Sequence, residues 1–258
     1  MTTSKKDIPI IPDDHPRAQS LHYRHTLVDG MQKKIVTPSG LCAHGRGEAF
    51  DYILGEQTIP SAEIAMRAAI STLILAQHPV ISVNGNVAAL VPKEIVQLSK
   101  SLAIPLEVNI FYQAPGRLEA IATILREHGA DQLLGLGDVP SAEISDLSSN
   151  RRIVDPRGIF SADVVLIPLE DGDRAEALIH SGKTVITIDL NPLSRTAQKS
   201  HITIVDNLVR TIPRMIDIAG IQKTYSLEEL AAIRDNFTQS ENLRSAIKFM
   251  IQYLKKQL

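Results

Sequence analysis

Residues 164–167 read Val-Val-Leu-Ile, and residues 185–188 are apolar except for Thr187. A strand of this kind has no polar face to turn toward water, so it needs cover on both sides. That requirement points to a parallel sheet held between layers of helices. From about Pro79 the chain keeps to one rhythm, in which short β-branched runs alternate with longer amphipathic stretches. Strands are predicted at 79–83, 106–111, 132–136, 163–169, 184–190 and 201–205. Helices are predicted between and after them, at 87–102, 116–129, 174–181, 193–199 and 207–219. The fold class expected is α/β, a doubly wound parallel sheet of about six strands.

Upstream, 16–36 and 61–77 read as two further helices, joined through a connecting segment at 41–56, with Ser61 placed to cap the second. Downstream, 226–234 and 240–258 read as a terminal helical pair, and Ser226 with Glu229 has capping-box spacing. Met250, Ile251 and Leu254 share one face of the last helix, where they cover either the chain's own core or a subunit interface. The expected organisation is a flexible N-terminus at 1–12, a helical segment packed on the core at 13–78, the α/β core at 79–220 and the C-terminal pair at 221–258. All of it belongs to one structural domain.

Charge and cysteine content exclude several functions. A net charge of −2 lacks the basic excess that nucleic-acid or anionic-membrane binding requires. The single cysteine, Cys42, allows neither an intrachain disulfide nor a cysteine zinc cage. With no signal-peptide pattern and no apolar run near the ~20 residues that span a bilayer, a cytoplasmic protein is expected.

Ligands of a doubly wound sheet bind beyond the carboxyl ends of the strands, so the residues after each predicted strand are the candidates. Asn84, Gly85, Asn86 and Val87 follow the first strand. They read either as a turn capped by Asn86 or as a helix start whose free N–H groups hold a phosphate. Glu170, Asp171 and Asp173 crowd the next loop of interest. They read either as helix caps, with Glu176 completing a box, or as ligands for magnesium, a ribose hydroxyl or an ammonium group. Asp189, Asn191, Ser194 and Arg195 converge on one loop, where a cap at Asn191 with Pro192 in the first helical position competes with nucleotide recognition. Asp206 and Asn207 repeat the arrangement one strand later. A fourth segment lies outside the sheet. His44-Gly45-Arg46-Gly47 reads as a loop in which two glycines bring the backbone near a ligand and Arg46 clamps it.

Two short motifs fail. Gly182-Lys183-Thr184 ends like a P-loop, but Ala177 stands where its first glycine belongs, so Gly182 reads as a helix stop. Phe50 stands where a dinucleotide fingerprint needs its third glycine. No metal-ligand spacing of histidines and no catalytic triad is visible.

In content and order these segments resemble those of the archaeal phosphopantothenate synthetases. The likeness is carried by His15-Pro16-Arg17, the run from Ala43 through His44-Gly45-Arg46-Gly47-Glu48 to Tyr52, and the run from Ser82 through Asn84-Gly85-Asn86 to Pro92. It continues through Pro168-Leu169-Glu170-Asp171-Gly172-Asp173-Arg174, the run from Ile186 to Arg195, and Ile202-Thr203-Ile204-Val205-Asp206-Asn207. It extends over about 15–214; residues 138–150 carry no familiar motif, and the C-terminal helices match only in type.

The resemblance implies a Rossmann-like, homodimeric enzyme of archaeal coenzyme A biosynthesis. Such an enzyme joins 4-phosphopantoate to β-alanine with ATP and Mg2+, through an acyl-adenylate, releasing AMP and pyrophosphate. It implies ATP contacts at Arg24, Arg46, Asp189, Leu190, Asn191, Arg195, Thr196, Asn207 and Leu208, with Arg24, Arg46 and Arg195 as the catalytic cations. His44 and Gly45 are assigned to the substrate together with Asn84, Gly85, Asn86 and Val87, whose turn is expected to take its phosphate. Glu170, Asp171 and Asp173 are left between magnesium and the ammonium of β-alanine. Two other readings stay open: an ATP-dependent ligase or adenylyltransferase of another small acid, and a non-catalytic nucleotide-sensing module.

Overall fold

The protein was analysed as a computed structural model that describes Ile11, Pro12, Asp14, His15 and residues 17–258. The flexible N-terminus predicted at 1–12 therefore lies, but for its last two residues, outside the described residues. Three helices come first: α1 (Ala18–Gln32), α2 (Pro38–Leu54) and α3 (Pro60–Leu75). The first half of the sheet follows with β1 (Pro79–Val83), α4 (Gly85–Leu90), α5 (Pro92–Leu102), β2 (Leu106–Val108), α6 (Arg117–Glu127) and β3 (Leu133–Leu134). A small antiparallel pair, β4 (Ala142–Glu143) and β5 (Ile153–Val154), interrupts the alternation, with a 3-10 turn at Asn150–Arg152 leading into β5. The second half is β6 (Val164–Pro168), α7 (Gly172–His180), β7 (Thr184–Ile188), α8 (Arg195–Lys199), β8 (Ile202–Ile204) and α9 (Leu208–Gln222). The pair α10 (Leu227–Asp235) and α11 (Gln239–Lys255) closes the chain.

The main sheet is six-stranded and parallel throughout, in the order β3-β2-β1-β6-β7-β8. This is the expected doubly wound arrangement, and the winding reverses between β1 and β6. Side chains of the apolar strands alternate between two cores, as cover on both faces demands. Along β6, Val164 and Leu166 enter the larger cluster, whereas Val165 and Ile167 enter the smaller one with Ala175 and Leu178 of α7. The larger cluster gathers residues from Leu27 to Met250, so the terminal helices share one core with the sheet. Each fully buried aliphatic side chain there, such as Ile70, contributes about 1.5–3 kcal/mol.

Several local expectations are corrected. The single helix predicted at 87–102 is two, because Pro92 has no N–H to continue the first and starts the second instead. The connecting segment at 41–56 is helix α2. Its start is marked by Thr37, whose hydroxyl accepts from the Gly40 N–H, with Pro38 next, and its end by Gly55 in the left-handed region. Ser61 caps nothing; α3 starts at Pro60 after Ile59. The box at Ser226 and Glu229 is present as expected. On α11, Met250 enters the core, while Ile251 and Leu254 stay about half exposed. Among the described residues no helix is long and apolar enough to cross a membrane.

Candidate functional site

A cavity of about 1020 Å³ opens at the carboxyl ends of the strands. Its floor is made by the residues that follow them: Asn84 after β1, Ile110 and Phe111 after β2, Leu169 to Asp173 after β6, Asp189 to Asn191 after β7, and Asn207 after β8. Helix α2 crosses above as a roof. Its Ser39, Gly40, Ala43, His44, Arg46, Gly47 and Phe50 recur at helical spacing on the face toward the cavity. The small residues let that roof lie close to the floor. A Cβ on Gly40 would meet Asn86 Oδ1 at 2.4 Å, where Asn86 Nδ2 now donates to the Gly40 carbonyl at 2.9 Å.

One half of the cavity is lined by the ends of β7 and β8. Burial pushes the Asp189 carboxyl above the usual carboxylate range, opposed by the Ser194 hydroxyl and the Asn191 N–H that donate to it. Ser194, and not Asn191, caps α8, so Pro192 precedes the helix; Asn191 instead accepts from the Leu193 N–H within the loop. Asn207 caps α9 through the Val209 N–H and donates to Asp51 Oδ2 of α2 at 2.7 Å. Asp51 and Asp206 both bind Arg210, and Thr58 donates to Asp206 at 2.6 Å. This buried cluster fixes the roof to the floor and holds Asn207 in place.

The other half is lined by the ends of β1, β2 and β6. Asn84 caps α4 by accepting from the Asn86 and Val87 N–H groups, each at 3.1 Å, and donates to the Pro168 and Leu169 carbonyls. It thereby holds Leu169 at a φ of 53°, a conformation costly for a branched side chain. Beyond it stand three buried arginines. Arg174 pairs with Glu170 and donates to Ser82 at 3.2 Å. Arg151 shares Glu170 and lies 6.0 Å over the Phe111 ring. Arg117 donates only to carbonyls, those of Ile35 and Tyr112.

Almost every residue predicted for the site lines this one cavity: His44, Arg46, Asn84, Gly85, Asn86, Glu170, Asp171, Asp173, Asp189, Leu190, Asn191, Arg195, Thr196, Asn207 and Leu208. Arg24, Gly45 and Val87 do not line it. Arg24 is turned onto Glu48 in a two-point pair at 2.8 and 3.1 Å, so it reaches a cavity ligand only by leaving that partner. Gly45 is exposed on the outer side of α2, and Val87 is fully buried behind the cap. Arg195 bonds Glu176, and its stem passes where a Cβ on Gly172 would sit, 2.7 Å away. Arg46 is exposed at the cavity and pairs with no described carboxylate. Burial lowers the pKa of His44, so a neutral imidazole able to accept a proton lines the cavity at neutral pH.

Two expected ligand sites look different in place. The N–H groups of Asn86 and Val87 are taken by the Asn84 side chain, which removes the donors that the phosphate reading needed. Glu170 is buried between two guanidiniums and is committed to them, whereas Asp171 and Asp173 are exposed. Neither aspartate makes the capping bond expected at the start of α7. No group of three or more metal-ligating side chains occurs among the described residues.

Arg117 and Arg151 are cavity residues that no sequence motif marked. Arg151 lies at the end of the motif-free stretch, held there by Asn109 Nδ2, which donates to the Arg151 and Ile153 carbonyls. Arg117 had a usable signal. A cation in the first turn of a helix opposes the macrodipole, and such a position asks for a reason.

The chain matches, over residues 61–253, the family described as phosphopantothenate/pantothenate synthetase. It is similar to proteins named 4-phosphopantoate–beta-alanine ligase in several archaea. The one from Thermococcus kodakarensis is 52% identical over 92% of this chain and 90% of its own length. That of Thermococcus onnurineus is 51% identical over 95% and 94%, and that of Methanosarcina mazei 46% over 95% and 96%.

Proposed function

The chain belongs to the phosphopantothenate/pantothenate synthetase family, and on that premise we propose that it joins 4-phosphopantoate to β-alanine with ATP. The products are 4′-phosphopantothenate, AMP and pyrophosphate. The observation that carries the reading is the single cavity of about 1020 Å³, large for one small molecule, with a nucleotide-like half and an arginine-lined half on either side of the switch point.

A carboxylate is a poor acyl donor because its leaving group would be oxide. Its oxygen therefore attacks the α-phosphorus of ATP and expels pyrophosphate. The β-alanine nitrogen then attacks the acyl carbon, AMP leaves, and the amine's surplus proton is lost. Asp189, Asn191 and Asn207, with Leu190 and Leu208 beside them, orient the nucleoside. Arg46 offers an unpaired guanidinium to the phosphates, and Arg195, next to Thr196, joins it on releasing Glu176. Arg24 does so on releasing Glu48. Each preorganised donor is worth roughly 10²–10³ in rate. His44, neutral and lining the same cavity, is the group proposed to take the ammonium proton. Asp171 and Asp173 suit Mg2+, which keeps most of its waters and takes one or two carboxylates beside nucleotide phosphates. The ion supplies charge neutralisation between the two polyanions. The aspartates equally suit the ammonium group.

In the same proposal the enzyme is a cytoplasmic homodimer. Support for the dimer comes from apolar side chains left in water on the terminal helices: Leu227, Ile251 and Leu254. Light scattering that gives a monomer mass removes that part alone. The ligase is tested by quantifying AMP from ATP, magnesium, 4-phosphopantoate and β-alanine, beside an Arg46→Ala variant. AMP that needs both the acid and the amine, and falls by about 10²–10³ in the variant, is expected. AMP with another acid keeps the adenylation and discards the substrate; ATP bound without AMP from any acid leaves a nucleotide sensor.

A further inference from the structure

Strand β2 lies inside the parallel sheet, between β1 and β3, where an apolar run is the rule. It nevertheless carries Glu107, fully buried, and Asn109 follows just past its end, only 4% exposed. Burying such groups is costly unless their polar atoms are bonded, and the side-chain bonds of both go to one segment, residues 151–159. Glu107 accepts from the Asp155 N–H at 3.0 Å and from the Ile159 N–H at 2.6 Å. Asn109 Nδ2 donates to the Arg151 carbonyl at 3.4 Å and to the Ile153 carbonyl at 3.0 Å. Two positions on, the Phe111 ring faces the Arg151 guanidinium at 6.0 Å. Residues 107, 109 and 111 thus run along the segment in the reverse direction, as a rail with Arg151 at the cavity end. Gly158 is fitted to this rail, because a Cβ there would collide with the Glu107 carboxylate.

We propose that Glu107 and Asn109 are positioning residues, which set how far Arg151 reaches into the arginine-lined half of the cavity. The assignment rests on the ligase reading, which gives the β7–β8 half to the nucleotide and leaves this half to the acid. Neither residue lines the cavity, so both act through the segment they hold. That segment does not join the main sheet, since β4 and β5 pair only with each other. Its Ile144, Leu147, Val154 and Ile159 pack on the smaller core. Apolar packing is non-directional, whereas hydrogen bonds fix direction and distance, so the rail and not the packing sets the register. Asn109 Oδ1 has no partner among the described residues. A leucine would cost less at that position if packing were its whole task.

The test combines hydrogen exchange with steady-state kinetics on the full-length wild type, N109L, G158A and E107Q. N109L removes both donated bonds, and G158A pushes the segment off Glu107 while leaving every charged group in place. E107Q keeps one acceptor oxygen and serves as the conservative variant. In N109L and G158A, amide exchange across 151–159 should rise about 10–100-fold with the rest of the main sheet unchanged. KM for 4-phosphopantoate should rise about tenfold or more, while KM for ATP stays within about twofold. E107Q should fall between these variants and the wild type. A loosened segment with an unchanged KM for the acid would make the rail a strut only and overturn the proposal. So would equal rises in both KM values, or exchange that no variant alters. If N109L and G158A do not fold, E107Q decides by the same criteria. A wild type that forms no AMP from 4-phosphopantoate ends the ligase reading and this assignment with it; an active wild type whose variants show no split between the two KM values ends this assignment alone.

Discussion

Two buried charge clusters flank the cavity, and they are built in opposite senses. Behind the half lined by the ends of β7 and β8, two carboxylates share one arginine, since Asp51 and Asp206 both bind Arg210, and Thr58 and Asn207 supply the remaining donors. Behind the other half, two arginines share one carboxylate, and Arg151 and Arg174 each keep a buried Nε–H without an acceptor among the described residues. The first cluster is complete within the chain and serves to tie α2 to α9. The second leaves buried donors without a partner among the described residues. Charge sign alone does not separate a structural cluster from a binding one; whether its polar atoms are all partnered does.

The largest effect should come from breaking the complete cluster. Asp51→Ala leaves Arg210 and Asn207 facing an apolar gap, and a loss of about 3–5 kcal/mol is expected in chemical denaturation. A loss below about 1 kcal/mol would mean the cluster is not a brace, and the contrast would fail.

The second test sharpens the contrast through pH. Glu107 is fully buried beneath Arg174, and burial pushes its carboxyl up to about 7, against the pull of the Asp155 and Ile159 N–H groups that donate to it. Its folded value lies above the ordinary 4.5, so the folded state holds the proton more tightly than the unfolded state. The contribution is therefore complete below about pH 4.5 and lost as pH rises through about 7, with a size of up to about 3 kcal/mol. Unfolding measured across that window should show the loss in the wild type and not in Glu107→Gln; parallel profiles would show that Glu107 is ionised throughout.

The smallest effect belongs to a pair that water already reaches. Arg24→Ala removes the two-point pair with Glu48 and should cost less than about 1 kcal/mol in thermal stability. A larger cost would assign that pair a bracing role like that of Asp51.

The sheet was legible because its strands had to be apolar on both faces, which short runs such as 164–167 display openly. Helix α2 was less so. Gly45 and Gly47 each cost a helix about 1 kcal/mol relative to alanine, so the run itself looks like a loop. The signals that outvote them stand outside the run, at Thr37-Pro38 and Gly55. Capping residues mark the wrong partner in two places. Asn86 and Asn191 stand beside Asn84 and Ser194, which do the work, since several polar residues in one turn can each supply an oxygen. Helix α3 starts at Pro60 with no side-chain cap. The half of the cavity at β7 and β8 is visible as motifs because its residues sit together at strand ends. Arg117 and Arg151 come from separate stretches and meet only in the fold, and no local pattern announces such a meeting.

Helix α7 has a further consequence through Glu176. Arg195 rests on Glu176, as Arg24 rests on Glu48, so each of these exposed cations has a carboxylate beside it. A passing polyanion such as a nucleic acid finds these arginines already answered, in a protein whose net charge is −2. On the proposed ligase reading, displacing these carboxylates takes a ligand with dense phosphate charge and a fit to the cavity. Selectivity is then set partly by the carboxylates that the protein holds against its own arginines.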